Sequence, residues 1–495
     1  MTVFLILLPV AAFLALLLLV GLRANRKVKS ADKFQSEYFL GSRSLGGVVL
    51  AMTLVATYGS VSTYVSGPGL AWGYGLGWVV FAAPQIITGF LILGVLGKKM
   101  AVLSRRTNSL TVIDLIYARF NSRSLCVILS LVLLIFFSAT MVGQFVGGAQ
   151  IFAAITGLDY KIGLIMFAAV TVLYTAGGFR AVVLTDAVCA VLMLTGMFLL
   201  GGAILNEGGG LEAVCAKLAV IEPDAEGRSK LFTFNAGGAL PLSLLFSAWL
   251  LVGFCTIGLP QSMVRCMSYK STQALHQAMI VATIICGALM IGLTLLGVFA
   301  RAVVTELPEG GSDAIIPLLI AHSMHPLLSG ITIIGPLAAT MSTVSSLLIA
   351  ASSAIVRDLY LQLYGHECED VKARRFSAWI TLFIGVICIL LAMYPLDIVV
   401  WINLFAFGGL ESAFLWPMVL GLFVARMNKE GALASVIAGL GVYIVFSVLK
   451  VNIAGFHNIV WGCAAGLVAA LAVMWLRPGA DRATLEIFFP QKLPD

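Results

Sequence analysis

Apolar runs of about 20 residues recur along this 495-residue chain from Thr2 to Leu476. Each is long enough to cross a hydrocarbon layer of roughly 30 Å as a helix. Inside such a layer every backbone group must bond within the protein, so runs of this length and number dictate a bundle of membrane-spanning helices. Composition agrees, with 60% of residues hydrophobic and 11% charged, against roughly 25% charged in soluble globular chains. Mean hydropathy is +1.05, and no stretch remains for a sizeable soluble domain.

The pattern predicts an all-α polytopic membrane protein of about thirteen spans, at 2–22, 45–72, 77–97, 124–155, 162–178, 182–205, 239–264, 274–300, 326–355, 376–394, 397–425, 431–450 and 457–476. No basic residue precedes Thr2–Leu22 and a basic cluster follows it, so it reads as a first span with its N-terminus outside rather than a cleavable signal. Charge tests that map. The segments it places in the cytoplasm hold 24 of the 30 Lys and Arg residues, Arg265 and Lys270 among them. The other six are Lys161, Lys217, Arg228, Lys230, Arg301 and Lys450. Such asymmetry is what the positive-inside rule demands, so the net charge of +7 reports orientation and not nucleic acid binding.

Spans two to six and seven to eleven make two sets of five, and an odd number of crossings turns the second set upside down. This divides the chain into a first helix (1–24), a first repeat (45–205), an extracellular loop (206–238), a second repeat (239–425), two C-terminal helices (431–477) and a cytoplasmic tail (478–495). The second span, within Ala51–Gly77, carries six serine and threonine hydroxyls between Thr53 and Ser66. Gly59 and the outer Gly67-Pro68-Gly69 interrupt it. Gly253, Thr256, Gly258 and Pro260 interrupt the seventh in the corresponding place. Matched interruptions in two inverted halves mark the central site of a secondary transporter.

Asp186 and Glu411 lie within spans, and intramembrane carboxylates are functional candidates by default. The nine cysteines are scattered singly, and only His322 and His325 are close-spaced histidines, so neither disulfides nor a bound metal are expected beyond sodium. No grouping of nucleophile, base and acid stands out, which argues against an enzyme.

Several segments carry a resemblance: YFLGSRSLGG entering the second span, GGFRAVVLTD at 177–186, GLPQSMVRCMS at 258–268, LAATMSTVSS at 337–346, FAFGGLESAFLWPMVLGLF from 405 and GALASVIAGL ending at 440. In this order they resemble the sodium/solute symporter family over essentially the whole chain, and most closely its pantothenate-carrying branch. The resemblance implies a LeuT-like five-plus-five inverted repeat, with one extra helix before it and two after, in a bacterial inner membrane. It implies Na⁺ as coupling ion, with no organic cofactor, held by the carbonyls of Ala56, Gly59 and Ala339 and the hydroxyls of Ser342 and Thr343. It places the substrate pocket between the broken second and seventh spans, with Ser62, Thr63, Ser66, Gln85, Thr140, Gln144, Thr256 and Gln261 as candidates. Asp186 falls on the sodium release route, while Glu411 either pairs with a polar neighbour or tunes the gate.

Proline is disfavoured as substrate, because Tyr58 stands where the family's proline carriers have an aspartate. Gly59 and Ser66 also depart from the pantothenate branch, where a larger apolar residue and a glycine are usual. Sodium-coupled carriage of another organic acid, an amino acid or a sugar stays open. So, at lower weight, does a non-transporting sensor or embedded enzyme.

Overall fold

The computed structural model describes residues 2–29, 34–223, 227–363, 370–394 and 399–490. Residues 397–398, at the start of one expected span, and 491–495, at the end of the expected tail, lie outside the described residues. Among the described residues the regular structure is all helical, apart from two isolated bridges, Leu45 with Tyr269 and Pro223 with Ser229. Ten helices among the described residues are long and apolar enough to cross a bilayer, or twelve when two bent pairs each count as one.

We label α1 Thr2–Lys29, α2 Gly47–Tyr58, α3 Val61–Tyr74, α4 Leu76–Arg106, α5 Arg123–Thr156, α6 Tyr160–Thr175, α7 Phe179–Gly208, α8 Leu242–Leu251, α9 Pro260–Ser268, α10 Thr272–Ala300, α11 Pro326–Leu361, α12 Asp370–Ala392, α13 Val399–Phe423, α14 Lys429–Val448 and α15 Asn458–Leu476. The expected span 162–178 is α6, whose 16 residues cover only about 24 Å. The thirteenth crossing therefore rests on a helix shorter than a hydrocarbon layer.

Local chemistry sets many of the ends. Ser122, Ser271 and Asn428 cap α5, α10 and α14 by accepting from backbone N–H groups three residues on. Burial then sorts the helices. In α11, 94% of the most apolar stretch is buried, against 28% in α1 and 33% in α12, α14 and α15. α11 is therefore the central rod, while those four give most of their apolar surface to lipid.

Two of the elements against this rod are broken. Between α2 and α3 the path bends by 78°, through Gly59 and an extended Ser60 (φ −123°, ψ 177°). The break is at Gly59–Ser60, the first of the two interruptions the sequence marks in this span, whereas the second, Gly67-Pro68-Gly69, is helical and corrects that part of the expectation. Those three residues begin a helical stretch, Ser66–Tyr74, and a proline in a first turn forfeits no hydrogen bond. The glycines there serve contact: a Cβ on Gly69 would lie 2.3 Å from the Ser312 carbonyl oxygen, and one on Gly297 of α10 2.2 Å from that of Pro68. The second break lies where the sequence puts it. α8 loosens into a 3-10 stretch at Phe254–Gly258, and α9 restarts at Pro260 with a bend of 46°.

Four of the arginines that the charge count assigns to one side, Arg43, Arg105, Arg119 and Arg357, bind neighbouring loops and helix ends on that side of the map. Arg43 Nη2 donates to the carbonyls of Ser104 (3.0 Å) and Ser109 (2.8 Å). Arg105 donates to Tyr269 (2.7 Å), Arg119 to Gly421 (2.7 Å) and Met427 (2.9 Å), and Arg357 pairs with Asp114 at 3.0 Å. Arg265 differs in its surroundings. Counted as a loop cation, it is instead 1% exposed inside the bundle.

Candidate functional site

The break at Gly59–Ser60 frees backbone oxygens. The Ser60 N–H, which would continue α2 by bonding to Ala56, donates instead to Thr63 Oγ1 at 3.2 Å. Hydroxyls of α11 meet the freed oxygens. Ser342 Oγ lies 2.9 Å from the Ala56 carbonyl oxygen, 2.7 Å from that of Ala338 and 3.2 Å from that of Ala339. Thr343 Oγ1 donates to the Gly59 carbonyl at 3.0 Å. The five expected sodium ligands are thus brought together, buried and built of neutral oxygen, the donor set a small hard cation takes.

One turn further along α11, Ser346 belongs to a buried polar chain. Asp186 Oδ2 accepts from Thr53 Oγ1 (2.7 Å), Arg265 Nη2 (3.2 Å) and Ser346 Oγ (3.3 Å), while its Oδ1 has no partner. Arg265 Nη2 also reaches Ser346 Oγ at 2.7 Å, and Thr57 bonds Ser346 at 2.9 Å. The side chains of Arg265 and Asp186 are 1% and 0% exposed. Removing one partner of such a pair costs about 3–5 kcal/mol, because it strands the other charge. Arg265 was missed because the loop reading of its neighbourhood hid it, and no local signal distinguishes it from an interfacial arginine.

On the other side of the break a cavity opens, lined by Tyr58, Ser60, Ser62, Thr63, Gln85 and Asn403 among polar groups and by Trp78, Phe81, Val252, Met290 and Phe407 among apolar ones. Trp78 and Phe81 stack with ring centres 4.2 Å apart. Tyr58 donates to the Val252 carbonyl at 3.0 Å, tying the two broken helices together. Asn403 Nδ2 donates to Ser62 Oγ at 2.5 Å, leaving its Oδ1 unpartnered. Asn403 was absent from the sequence candidates, although a lone amide in an apolar run is a usable signal.

Of those candidates, Ser62, Thr63 and Gln85 face this cavity. Ser66 lines a separate cavity with Gln150 and Asp313, whose carboxyl is raised above its ordinary range by burial, the Ser66 hydroxyl opposing the rise. Thr140 and Thr256 are committed to their own backbones, donating to Phe136 (2.9 Å) and Gly253 (2.5 Å). Gln261 lies beside Arg265 and Ser346 in a further small cavity. Gln144 does something else: its Oε1 accepts from the Val61 N–H at 2.9 Å, satisfying the first turn of α3 from a different helix.

A lipid-embedded bundle in which two helices break beside one another, around a polar cavity and a buried cluster of oxygens, defines a membrane secondary transporter. This chain belongs to the sodium:solute symporter family, whose sequence profile matches residues 38–439. It is 41% identical over 468 residues to the sodium/pantothenate symporter of Haemophilus influenzae, covering 94% of this chain and 95% of that protein. To the sodium/pantothenate symporter of Escherichia coli it is 42% identical over 468 residues, with the same coverage. Its fold matches a Na⁺-coupled sialic acid symporter in a substrate-bound outward-open state with a TM-score of 0.78, at 19% identity, covering 97% of this chain and 99% of the other.

Proposed function

We propose that this protein imports pantothenate together with sodium by alternating access. The observation that carries the reading is that one break serves both solutes. The Gly59 carbonyl belongs to the oxygen cluster and the Ser60 side chain to the cavity wall, so occupancy of either fixes the same two residues. A ligand shifts a conformational equilibrium only through unequal affinity for the two states. A cation clamped between α2 and α11 favours the state in which these helices are apposed, and that state presents a formed cavity.

Ala56, Gly59, Ala339, Ser342 and Thr343 hold the ion in this scheme. The cavity's described side chains carry no formal charge, which suits a solute with hydroxyl and amide groups. Ser62, Thr63, Gln85 and Asn403 supply donors and acceptors, and the positive end of α3 lies at the wall for the carboxylate. Asp186, with one oxygen unpartnered, receives the ion on its way to the cytoplasm. Each elementary charge carried inward draws about 2.3 kcal/mol per 100 mV from the membrane potential. The helices form inverted five-helix repeats at 45–205 and 239–425, with the N-terminus outside, the C-terminus inside and the protein in the bacterial inner membrane.

Labelled pantothenate offered to proteoliposomes containing the purified protein is expected to accumulate under an inward sodium gradient and to leak back when the gradient is collapsed. Accumulation indifferent to sodium would sink the coupling. Failure of labelled pantothenate to accumulate, with sodium-driven accumulation of another labelled organic acid, amino acid or sugar, would reassign the substrate.

A further inference from the structure

Glu411 of α13 is 0% exposed, and neither of its carboxyl oxygens has a hydrogen-bond partner among the described residues. The polar groups around it are engaged elsewhere. Tyr58 donates to Val252 and Tyr443 to Phe405, and the thiols of Cys255 and Cys463 sit 3.7 Å from each other. Protonation does not resolve this. A neutral carboxyl has an O–H that needs an acceptor and a second oxygen that needs a donor, and a bare carboxylate in this setting is costlier still. Either form calls for an occupant.

The position says what kind. Asn403, Phe407 and Glu411 follow one another at four-residue intervals on one face of α13. The first two line the cavity, so Glu411 lies one turn beyond its floor. It also lies against the second break: a Cβ on Gly258 would sit 3.2 Å from the Glu411 Cα. There the backbone has left α-helical geometry, with Gly253 at φ −115°, ψ −92° and Leu259 at φ −83°, ψ 111°. A carboxylate beside carbonyls released from a helix is the chemistry that binds an alkali cation. We propose that Glu411, with carbonyl oxygens of the 253–259 stretch, forms a second monovalent-cation site, separate from the cluster at Ala56 and Ser342. It places a charge-compensating ion at the joint where the second broken helix meets α13.

The test is equilibrium binding of radioactive sodium to the purified full chain without substrate. The wild type is expected to bind one more sodium ion per chain at saturation than Glu411→Gln. Ser342→Ala/Thr343→Ala is expected to lose the other ion and keep the one at Glu411. Glu411→Asp, which retains the charge on a shorter stem, is expected to keep the ion at about tenfold weaker affinity. Undiminished saturation in Glu411→Gln overturns the proposal. If that variant does not fold, unchanged sodium affinity in Glu411→Asp overturns it instead. A loss confined to the Ser342/Thr343 variant would leave the coupling mechanism standing and remove this site alone.

Discussion

Ser342 and Thr343 are adjacent on α11 yet bridge to different sides of one break, Ser342 to Ala56 before it and Thr343 to Gly59 at it. Each alanine substitution removes one oxygen from the cluster and one contact between α11 and the broken helix. A lost hydrogen bond of this kind is worth about 0.5–1.5 kcal/mol. Each single substitution is therefore expected to raise the sodium concentration for half-maximal uptake by roughly two- to tenfold, and the pair by more. The measurement is a sodium titration of initial uptake rate; coincident curves for wild type and double variant would take both hydroxyls out of the ion's coordination. The same residues show what sequence reading can reach: hydroxyls crowded on one apolar helix pointed to α11, and there they meet carbonyls of the broken helix. The hydroxyls of Thr140 and Thr256 bond the local backbone, a use that composition alone does not separate from a ligand's.

At the scale of elements, the broken helix is held open from outside. Gln144, in the middle of α5, supplies the acceptor that the first N–H of α3 needs, and this lets the chain turn within the bilayer without stranding a backbone group. Gln144→Leu is expected to cost about 1–3 kcal/mol, the penalty of a buried donor left unpaired, and to weaken substrate binding by loosening Ser62 and Thr63. Gln144→Glu keeps the acceptor and should recover much of the stability. Thermal unfolding in detergent beside solute-binding measurements reads both effects, and a Leu variant unchanged in both would show that α3 caps itself. Helix positions and the second break were legible because length, apolarity and a Gly/Pro interruption are local properties. Gly59 was legible as the first break, but Gly67-Pro68-Gly69 reads as a second interruption of the same span until its helical course and the contacts to Ser312 and α10 are seen. Arg265 escaped for a similar reason: its partner, Asp186, stands on another helix.

For the whole molecule, the binding of Arg43, Arg105, Arg119 and Arg357 to neighbouring loops and helix ends on one side of the map supports a cytoplasmic face there. The loop that contains Leu211–Ala219 then faces outward, and it carries Cys215, the exposed cysteine among those described. A membrane-impermeant maleimide is expected to label Cys215 in right-side-out vesicles, and Cys215→Ser to abolish that signal. Labelling that required permeabilised vesicles would invert the topology.

The Asp186–Arg265 pair also bears on how the chain is made. The two residues are 79 positions apart, so at about 5–20 residues per second roughly 4–16 s of synthesis separate them. Throughout that interval α7 has to enter the bilayer with an acid not yet joined to its arginine; Asp186 is the eighth of the 30 residues of α7, so the burden stays below the roughly 2.5–3.5 kcal/mol of the translocon's scale at a helix centre. α7 is therefore expected to stay beside the insertion machinery, or in its watery interior, until α9 delivers the arginine. The order in which the helices leave for lipid is written into a pair that, once joined, carries no net charge.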